Sequence, residues 1–142
     1  MALTIVTFTT VDIQAATPET AGETIAAGEL VYKDASTNKM MVSSSTASTS
    51  NYVHGTAITG GILDQTILVA YPTAAGPIFD FGLAVDPDDG IAYYLGESGD
   101  WATFSDVIGY DSGLDLIHVG YHKTAGHFVF KPYTLTGVVL VP

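Results

Sequence analysis

The chain is acidic: its 142 residues carry a formal net charge of −11, with 15 acidic residues against 4 Lys and Arg. This length suits one domain of roughly 100–200 residues, and the scarcity of cations argues against phosphate contacts, so we expect no nucleic-acid partner. Cysteine is absent, which excludes a disulfide framework and a thiolate metal site.

Residues typical of strands and turns dominate the composition. Charged residues make up 13% of the chain, against about 25% in an average soluble domain. Thr, Ser, Gly, Val, Ile and Tyr fill the difference, and they favour strands and tight turns over helices. We therefore predict an all-β protein. No apolar run reaches the roughly 18 residues of a membrane span and Met1 lacks the basic flank of a signal peptide, so we expect no membrane partner.

Residues 1–16 alternate apolar and polar side chains and contain no glycine, which predicts an extended segment. The segment lies outside the repeat described next and ends at Thr17 and Pro18. Two interpretations stay open for residues 1–20. They form an edge strand of the domain's own sheet, or an extended N-terminal arm that pairs with a neighbouring subunit.

Residues 21–71 form a unit whose skeleton returns at 75–121. The shift is 54 positions for most landmarks (28 to 82) and 50 near the end (71 to 121). The first copy has Ala21, Gly22, Gly28, Val31, Val53, Gly55, Val69 and Tyr71, and the second has Ala75, Gly76, Gly82, Val85, Val107, Gly109, Val119 and Tyr121. Two copies are too few for a solenoid, which needs roughly three. We therefore predict one compact domain over 21–142, built from two similar β-units and C-terminal strands at 125–142.

The first unit predicts two pairs of strands. A polar turn at 33–39 joins a strand near Val31 to a strand at 40–42 as a hairpin. The segment Ser43 to Asn51 is almost wholly Ser, Thr and Ala, which predicts an exposed loop that is mobile until a contact orders it. Strands at 53–58 and 66–71 then surround the turn Gly60-Gly61.

The second unit predicts strands at 78–81, 83–85, 91–95 and 116–121, with a turn at 86–90 that contains Asp89-Gly90. Trp101, Phe104 and Ile108 have helical spacing, and Asp100 is available as N-cap, which predicts a short helix over 100–105. The repeat instead places Val107 in a strand, so both interpretations stay open. The remaining apolar segments predict central strands at 128–130, 133–135 and 138–141.

The residues that carry chemistry give weak signals. His118 and His122 are four positions apart in an extended run, so we expect them to share a face, with Gly120 between them. His127 is nearby, and such a group is compatible with a metal site. Surface or turn histidines at a strand end are the favoured interpretation, because no carboxylate has a convincing ligand spacing. The turn 86–90 lacks the ligand register of a calcium loop, and Asp111-Ser112-Gly113 lacks the elbow of a hydrolase. We expect no enzymatic activity, no catalytic residues, no metal and no cofactor.

The glycine-punctuated skeleton of the first unit resembles the capsid decoration (cement) proteins of tailed bacteriophages. The resemblance rests on Gly22-x-x-Ile25-x-x-Gly28-x-x-Val31-Tyr32 and on the path from 53–58 through Gly60-Gly61 to Val69, with a fainter match over 75–124. It implies a small β-barrel or β-tulip that binds the outer surface of the assembled head as a homotrimer and bridges capsomers. The implied partners are the major capsid protein and further copies of this chain. The implied location is the outer capsid surface of the virion.

Two sets of residues are expected to make these contacts. The apolar side chains of the N-terminal segment would contact the capsid: Leu3, Ile5, Phe8, Val11 and Ile13. Tyr94, Trp101 and Phe104 would form an intersubunit patch, or else belong to the core. The alternative function is a receptor- or glycan-binding module of a phage fibre, with Tyr93, Tyr94 and Trp101 near Asp88 and Asp100 as a sugar platform.

Overall fold

A computed structural model describes residues 8–12, 16–83, 87–107, 113–124 and 126–139, and it shows two antiparallel sheets with one short helix. The all-β prediction is confirmed, whereas closure of these sheets into a barrel or tulip stays a prediction. The elements in chain order are β1 (Thr9–Asp12), β2 (Thr17–Thr20), β3 (Leu30–Lys33), β4 (Met40–Val42), β5 (Gly55–Ala57), β6 (Thr66–Ala70), β7 (Ile78–Asp80), β8 (Ala92–Leu95), β9 (Trp101–Ala102), α1 (Phe104–Val107), β10 (Asp115–Thr124) and β11 (His127–Val139).

The first unit and β2 build a five-stranded sheet in the order β2-β6-β5-β3-β4. The predicted hairpin is present, since β3 pairs with β4. In the turn between them, Asn38 adopts a left-handed φ of 60°. The predicted pair around Gly60-Gly61 is also present as β5 and β6. Beyond β2, Ala21 forms a parallel bridge with Met40 of β4, so the two outer strands of this sheet approach each other.

The second unit, β1 and the C-terminal strand build a six-stranded sheet in the order β1-β7-β11-β10-β8-β9. The C-terminal segments were predicted as separate central strands. They form one strand, β11, which lies between β7 and β10 as a central strand should. Of the predicted strand at 83–85, residue 83 is described and residues 84–85 lie outside the described residues.

One buried cluster joins the two sheets. Leu30 and Ala70 of the five-stranded sheet lie among the aromatic rings of the six-stranded sheet. Those rings are Phe79, Phe81, Tyr93, Trp101, Phe128 and Phe130. A second cluster lies within the five-stranded sheet, around Ile25, Met40 and Val69. Burial of these apolar side chains is the main force that holds the fold together.

A β-bulge in β10 decides which way its side chains point. His118 pairs with Tyr94 and Gly120 with Tyr93, so two steps along β10 match one step along β8. The extra residue reverses the alternation of faces. His118 consequently stacks on Tyr133 outside the shared core, whereas His122 packs edge-on against the core ring of Phe128. The expectation that the two histidines share a face is wrong.

Gly120 lies beside the indole of Trp101 at this bulge. A Cβ on Gly120 would stand 2.0 Å from the carbonyl oxygen of Val129 and 2.7 Å from Cζ3 of Trp101. Trp101 is 1% exposed and makes an edge-to-face contact with Phe81. The absence of a side chain at residue 120 therefore makes the space in which the tryptophan fits.

The short helix begins later than predicted. Trp101 and Ala102 form β9, and α1 follows at Phe104–Val107, with the Thr103 carbonyl accepting the first helical bonds from Asp106 and Val107. Asp100 is not its N-cap. Its carboxylate accepts instead from the Ser98 amide at 2.9 Å, within the turn that precedes β9.

The Ser/Thr loop is exposed over 46–49 but anchored at its start. Ser43 and Ser45 are buried, and their hydroxyls are satisfied there by donating to the carbonyls of Tyr52 (2.5 Å) and Gly96 (3.0 Å). The prediction that the whole segment is exposed is therefore wrong for these two serines.

Candidate protein-interaction surface

Four rings form a continuous row across the outer face of the six-stranded sheet. Phe104 lies 5.7 Å from Tyr94, Tyr94 lies 5.7 Å from His118, and His118 stacks on Tyr133 with 4.5 Å between ring centroids. We call Phe104, Tyr94, His118 and Tyr133 the aromatic row. Its two ends are the exposed ones: Phe104 is 51% exposed and Tyr133 is 53% exposed.

Strand alternation positions this row. Tyr93 and Leu95 of β8 point into the shared core, so Tyr94 between them points to the opposite face. There it packs against a small buried cluster of Ala102, Val107 and Leu116. Helix α1 therefore covers part of the outer face and places Phe104 at its border.

A groove flanks each end of the row. One has a volume of about 430 Å³ and is lined by Ile91, Tyr94 and Phe104 among others. The other has a volume of about 470 Å³ and is lined by His118, Tyr121, Lys131 and Tyr133, together with Pro72, Thr73 and Pro132. These apolar and aromatic linings are typical of surfaces that bind protein.

His118 is neutral at physiological pH. Burial lowers the pKa of His118, and the hydrogen bond to the Lys131 carbonyl only partly opposes this effect. Since a carbonyl only accepts, Nδ1 carries the proton and donates to Lys131 O at 3.1 Å. The outer face thus offers Lys131 as a cation beside a neutral imidazole.

His122, the second histidine of the predicted pair, is held by contacts with the backbone. His122 Nε2 accepts from the Gly126 amide at 3.2 Å, and its Nδ1 lies 3.3 Å from the Asp88 carbonyl. Both His118 and His122 are buried, so the favoured interpretation as surface histidines is wrong. No group of three or more metal-binding side chains occurs in the described part of the chain.

The structure brings together two of the three predicted intersubunit residues. Tyr94 and Phe104 lie in the aromatic row, whereas Trp101 lies in the core, the alternative that the sequence left open. A side chain with 1% exposure has no surface to offer a second copy. The predicted sugar platform is not formed, because Tyr93 and Trp101 are both buried.

Tyr133 was not predicted as a surface contact, and His118 was not predicted to stack on it. For Tyr133 the sequence did hold a signal. Lys131 precedes it by two positions in the same strand, so both side chains lie on one face, and a lysine seldom lies in a core. For His118 no such signal exists, since its face depends on the bulge.

The predicted capsid contacts of the N-terminal segment are only partly described. Leu3, Ile5 and Ile13 lie outside the described residues, and nothing is described of the Val11 side chain. Phe8 packs against Phe79 and Phe81, with centroid distances of 5.2 and 5.7 Å. Strand β1 pairs with β7 at the edge of the six-stranded sheet, which is the edge-strand interpretation.

A second exposed apolar feature lies at the turn between β5 and β6. Ile62 and Leu63 are 58% and 56% exposed. The turn is held by bonds in both directions between Ile25 and Gly61 and by the ion pair from Lys39 to Asp64 at 2.6 Å. It therefore presents two aliphatic side chains from a fixed backbone.

Comparisons with protein families, curated proteins and solved structures find no match to this chain. No helix among the described residues is both long and apolar enough to cross a membrane.

Proposed function

We propose that this chain is a structural binding protein that decorates a bacteriophage capsid, attaching to the outer surface of the head as a homotrimer and bridging capsomers. Its partners are the major capsid protein and further copies of itself, and it has no catalytic role. The proposal rests on the resemblance of the first unit to decoration proteins and on an acidic, cation-poor composition. Such a composition suits a protein displayed at high copy number, which must stay soluble without binding DNA.

The observation that carries the proposal is the aromatic row, a surface suited to contact with protein. A buried aromatic side chain removes about 150–250 Å² from water, so covering the exposed half of Phe104 or Tyr133 removes about 100 Å². At about 25 cal/mol per Å² this contributes about 2.5 kcal/mol per ring, before the costs of association. These two rings are thus candidate hot spots of an interface.

Stabilisation of the capsid would follow from mass action. A protein that binds only the assembled lattice stabilises it by RT ln(1 + [L]/Kd) per site, about 2.7 kcal/mol at one hundred times Kd. Summed over many sites, this resists the pressure of packaged DNA.

Two measurements test the proposal. Light scattering of the purified chain should give a mass of about 44 kDa, three times the 14.8 kDa of one chain. Tyr133→Ala should lower the trimer fraction or the attachment to heads at least tenfold. Tyr52→Ala, which removes a ring of the same 53% exposure from elsewhere on the chain, should change neither. A chain that stays monomeric both in solution and on the particle would overturn the trimer.

The alternative function, a receptor- or glycan-binding module of a fibre, predicts a different stoichiometry. A decoration protein occurs in virions at a copy number comparable to the major capsid protein, whereas a fibre module occurs at far fewer copies. Quantitative mass spectrometry of purified particles separates the two.

A further inference from the structure

Two grooves meet at Tyr52, which is not among the residues that the sequence suggested for a sugar platform. One has a volume of about 560 Å³ and is lined by Tyr32, Asp34, Thr49 and His54 among others. The other has a volume of about 350 Å³ and is lined by Asn51 and Asp115 among others. Tyr52 and Ser48 line both grooves. Both volumes lie in the range of about 300–1,000 Å³ that is typical of small-molecule sites.

Tyr52 is an exposed ring on a fixed support. Its side chain is 53% exposed, while its backbone carbonyl accepts from the buried hydroxyl of Ser43. Tyr32 and His54 lie behind it, with ring centroids 6.2 and 6.4 Å from that of Tyr52. A ring held in this way loses little freedom when a ligand stacks on it.

Hydrogen-bonding groups of both kinds surround the ring. The backbone amide of Lys33 donates to His54 Nδ1 at 2.8 Å, so a neutral His54 presents Nε2–H as a donor. Asp34 presents an ionised carboxylate as an acceptor, because hydrogen bonds from Ser36 lower its pKa. The hydroxyls of Ser48 and Thr49 add groups that both donate and accept.

The distances and charges narrow the ligand class. Tyr32, Tyr52 and His54 lie within 6.2–6.5 Å of one another, so they contact each other and leave no central space for an ammonium group. The chain carries a net charge of −11. Among the described residues that line the two grooves at Tyr52, the cation is Lys33, which is paired with Glu19 at 2.8 Å, and this disfavours an anionic ligand. A neutral ligand with apolar C–H faces and many hydroxyls fits what remains.

We propose that the grooves meeting at Tyr52 bind a neutral oligosaccharide, with one sugar ring stacked on Tyr52 and its hydroxyls bonded to Asp34 and His54. The two grooves on either side of Tyr52 give room for more than one sugar unit. This site shares no lining residue with the aromatic row, and the proposal does not depend on capsid attachment.

The test is a titration of the full chain, labelled with ¹⁵N, with neutral trisaccharides of glucose, mannose, galactose and N-acetylglucosamine up to about 20 mM. At least one trisaccharide should shift the amide signals of Tyr52 and of the strand β3. Tyr52→Ala should weaken that binding at least tenfold, since it removes the ring face on which the sugar is proposed to stack. Tyr133→Ala, the matched control, should bind as the parent does.

Absence of shifts with all four sugars would overturn the proposal, as would equal binding by the parent and Tyr52→Ala. Sialyllactose in place of the neutral sugars tests the charge argument, and tighter binding of this anion would overturn the assignment of a neutral ligand. Because Tyr52→Ala is expected to leave attachment to capsids unchanged, and Tyr133→Ala to leave sugar binding unchanged, each proposal fails independently of the other.

Discussion

Replacing Gly120 by alanine tests whether the fit of Trp101 at the bulge in β10 requires residue 120 to have no side chain. The new Cβ would stand 2.0 Å from the Val129 carbonyl oxygen, which is backbone and cannot rotate away, and 2.7 Å from the indole. Ordinary contact needs about 1 Å more, so β10 and β11 must separate locally. Overpacking costs up to about 3 kcal/mol, and one weakened ladder bond adds about 1 kcal/mol. We expect Gly120→Ala to lower the free energy of unfolding by about 4 kcal/mol.

Urea denaturation followed by tryptophan fluorescence measures this loss, since Trp101 is the one tryptophan. With an m-value of about 2 kcal/mol/M the midpoint should fall by about 2 M. The control is Gly113→Ala, where φ is +69° and, apart from the chain neighbours, no atom of the described residues lies within 4 Å of the added Cβ. It reports backbone strain without a clash, about 1 kcal/mol. If Gly120→Ala loses no more stability than this control, the packing argument is refuted.

Three further changes test the interior and the ion pairs. Thr56→Val should raise the free energy of unfolding by about 1 kcal/mol, because the buried Thr56 hydroxyl has no hydrogen-bond partner in the described part of the chain; calorimetry should show a Tm higher by about 4 °C. Glu19→Gln should lower the free energy of unfolding by about 2 kcal/mol, since Glu19 accepts from Lys33 and Tyr71 and is mostly buried. Asp64→Asn should lower it by less than about 1 kcal/mol, because the pair of Asp64 with Lys39 is exposed. Parallel urea curves compare the two variants. Burial lowers the pKa of His118 below 6.5, so between that lowered value and 6.5 the unfolded chain binds more protons than the folded chain, and stability should fall as pH falls through this window. His118→Phe should reduce this dependence of stability on pH. An unchanged dependence would contradict the lowered pKa of His118.

The local features of the fold were predictable because their causes lie close together in sequence. The hairpin of β3 and β4 follows from a polar turn in which Asn38 tolerates a left-handed φ. The strands β5 and β6 follow from alternation around two glycines. In each case the residues that determine the turn are close in sequence to both of the strands that the turn joins.

The features that decide the surface depended on contacts between distant residues. The burial of Ser45 depends on the carbonyl of Gly96, 51 positions away. The face on which His118 lies depends on the bulge, and the bulge accompanies the packing of Trp101 on Gly120. Alternation read along β10 alone therefore assigns His118 and His122 to one side of the sheet. Tyr94 and Phe104 of the aromatic row were partly predictable. Tyr94 lies between two core residues of β8, so alternation alone places it on the outer face.

Strand β11 changes character along its length. Its first residues, 127–129, pair with β7 on one side and β10 on the other, whereas from Lys131 onward the described residues include no partner on the β7 side. This explains how Pro132 is accommodated in a strand that is central at its start, since a proline lacks the amide that a second neighbour would require. We infer a further role for Pro132 and for Lys131 beside it, because proline and lysine both disfavour the pairing of a strand edge with another molecule in concentrated solution.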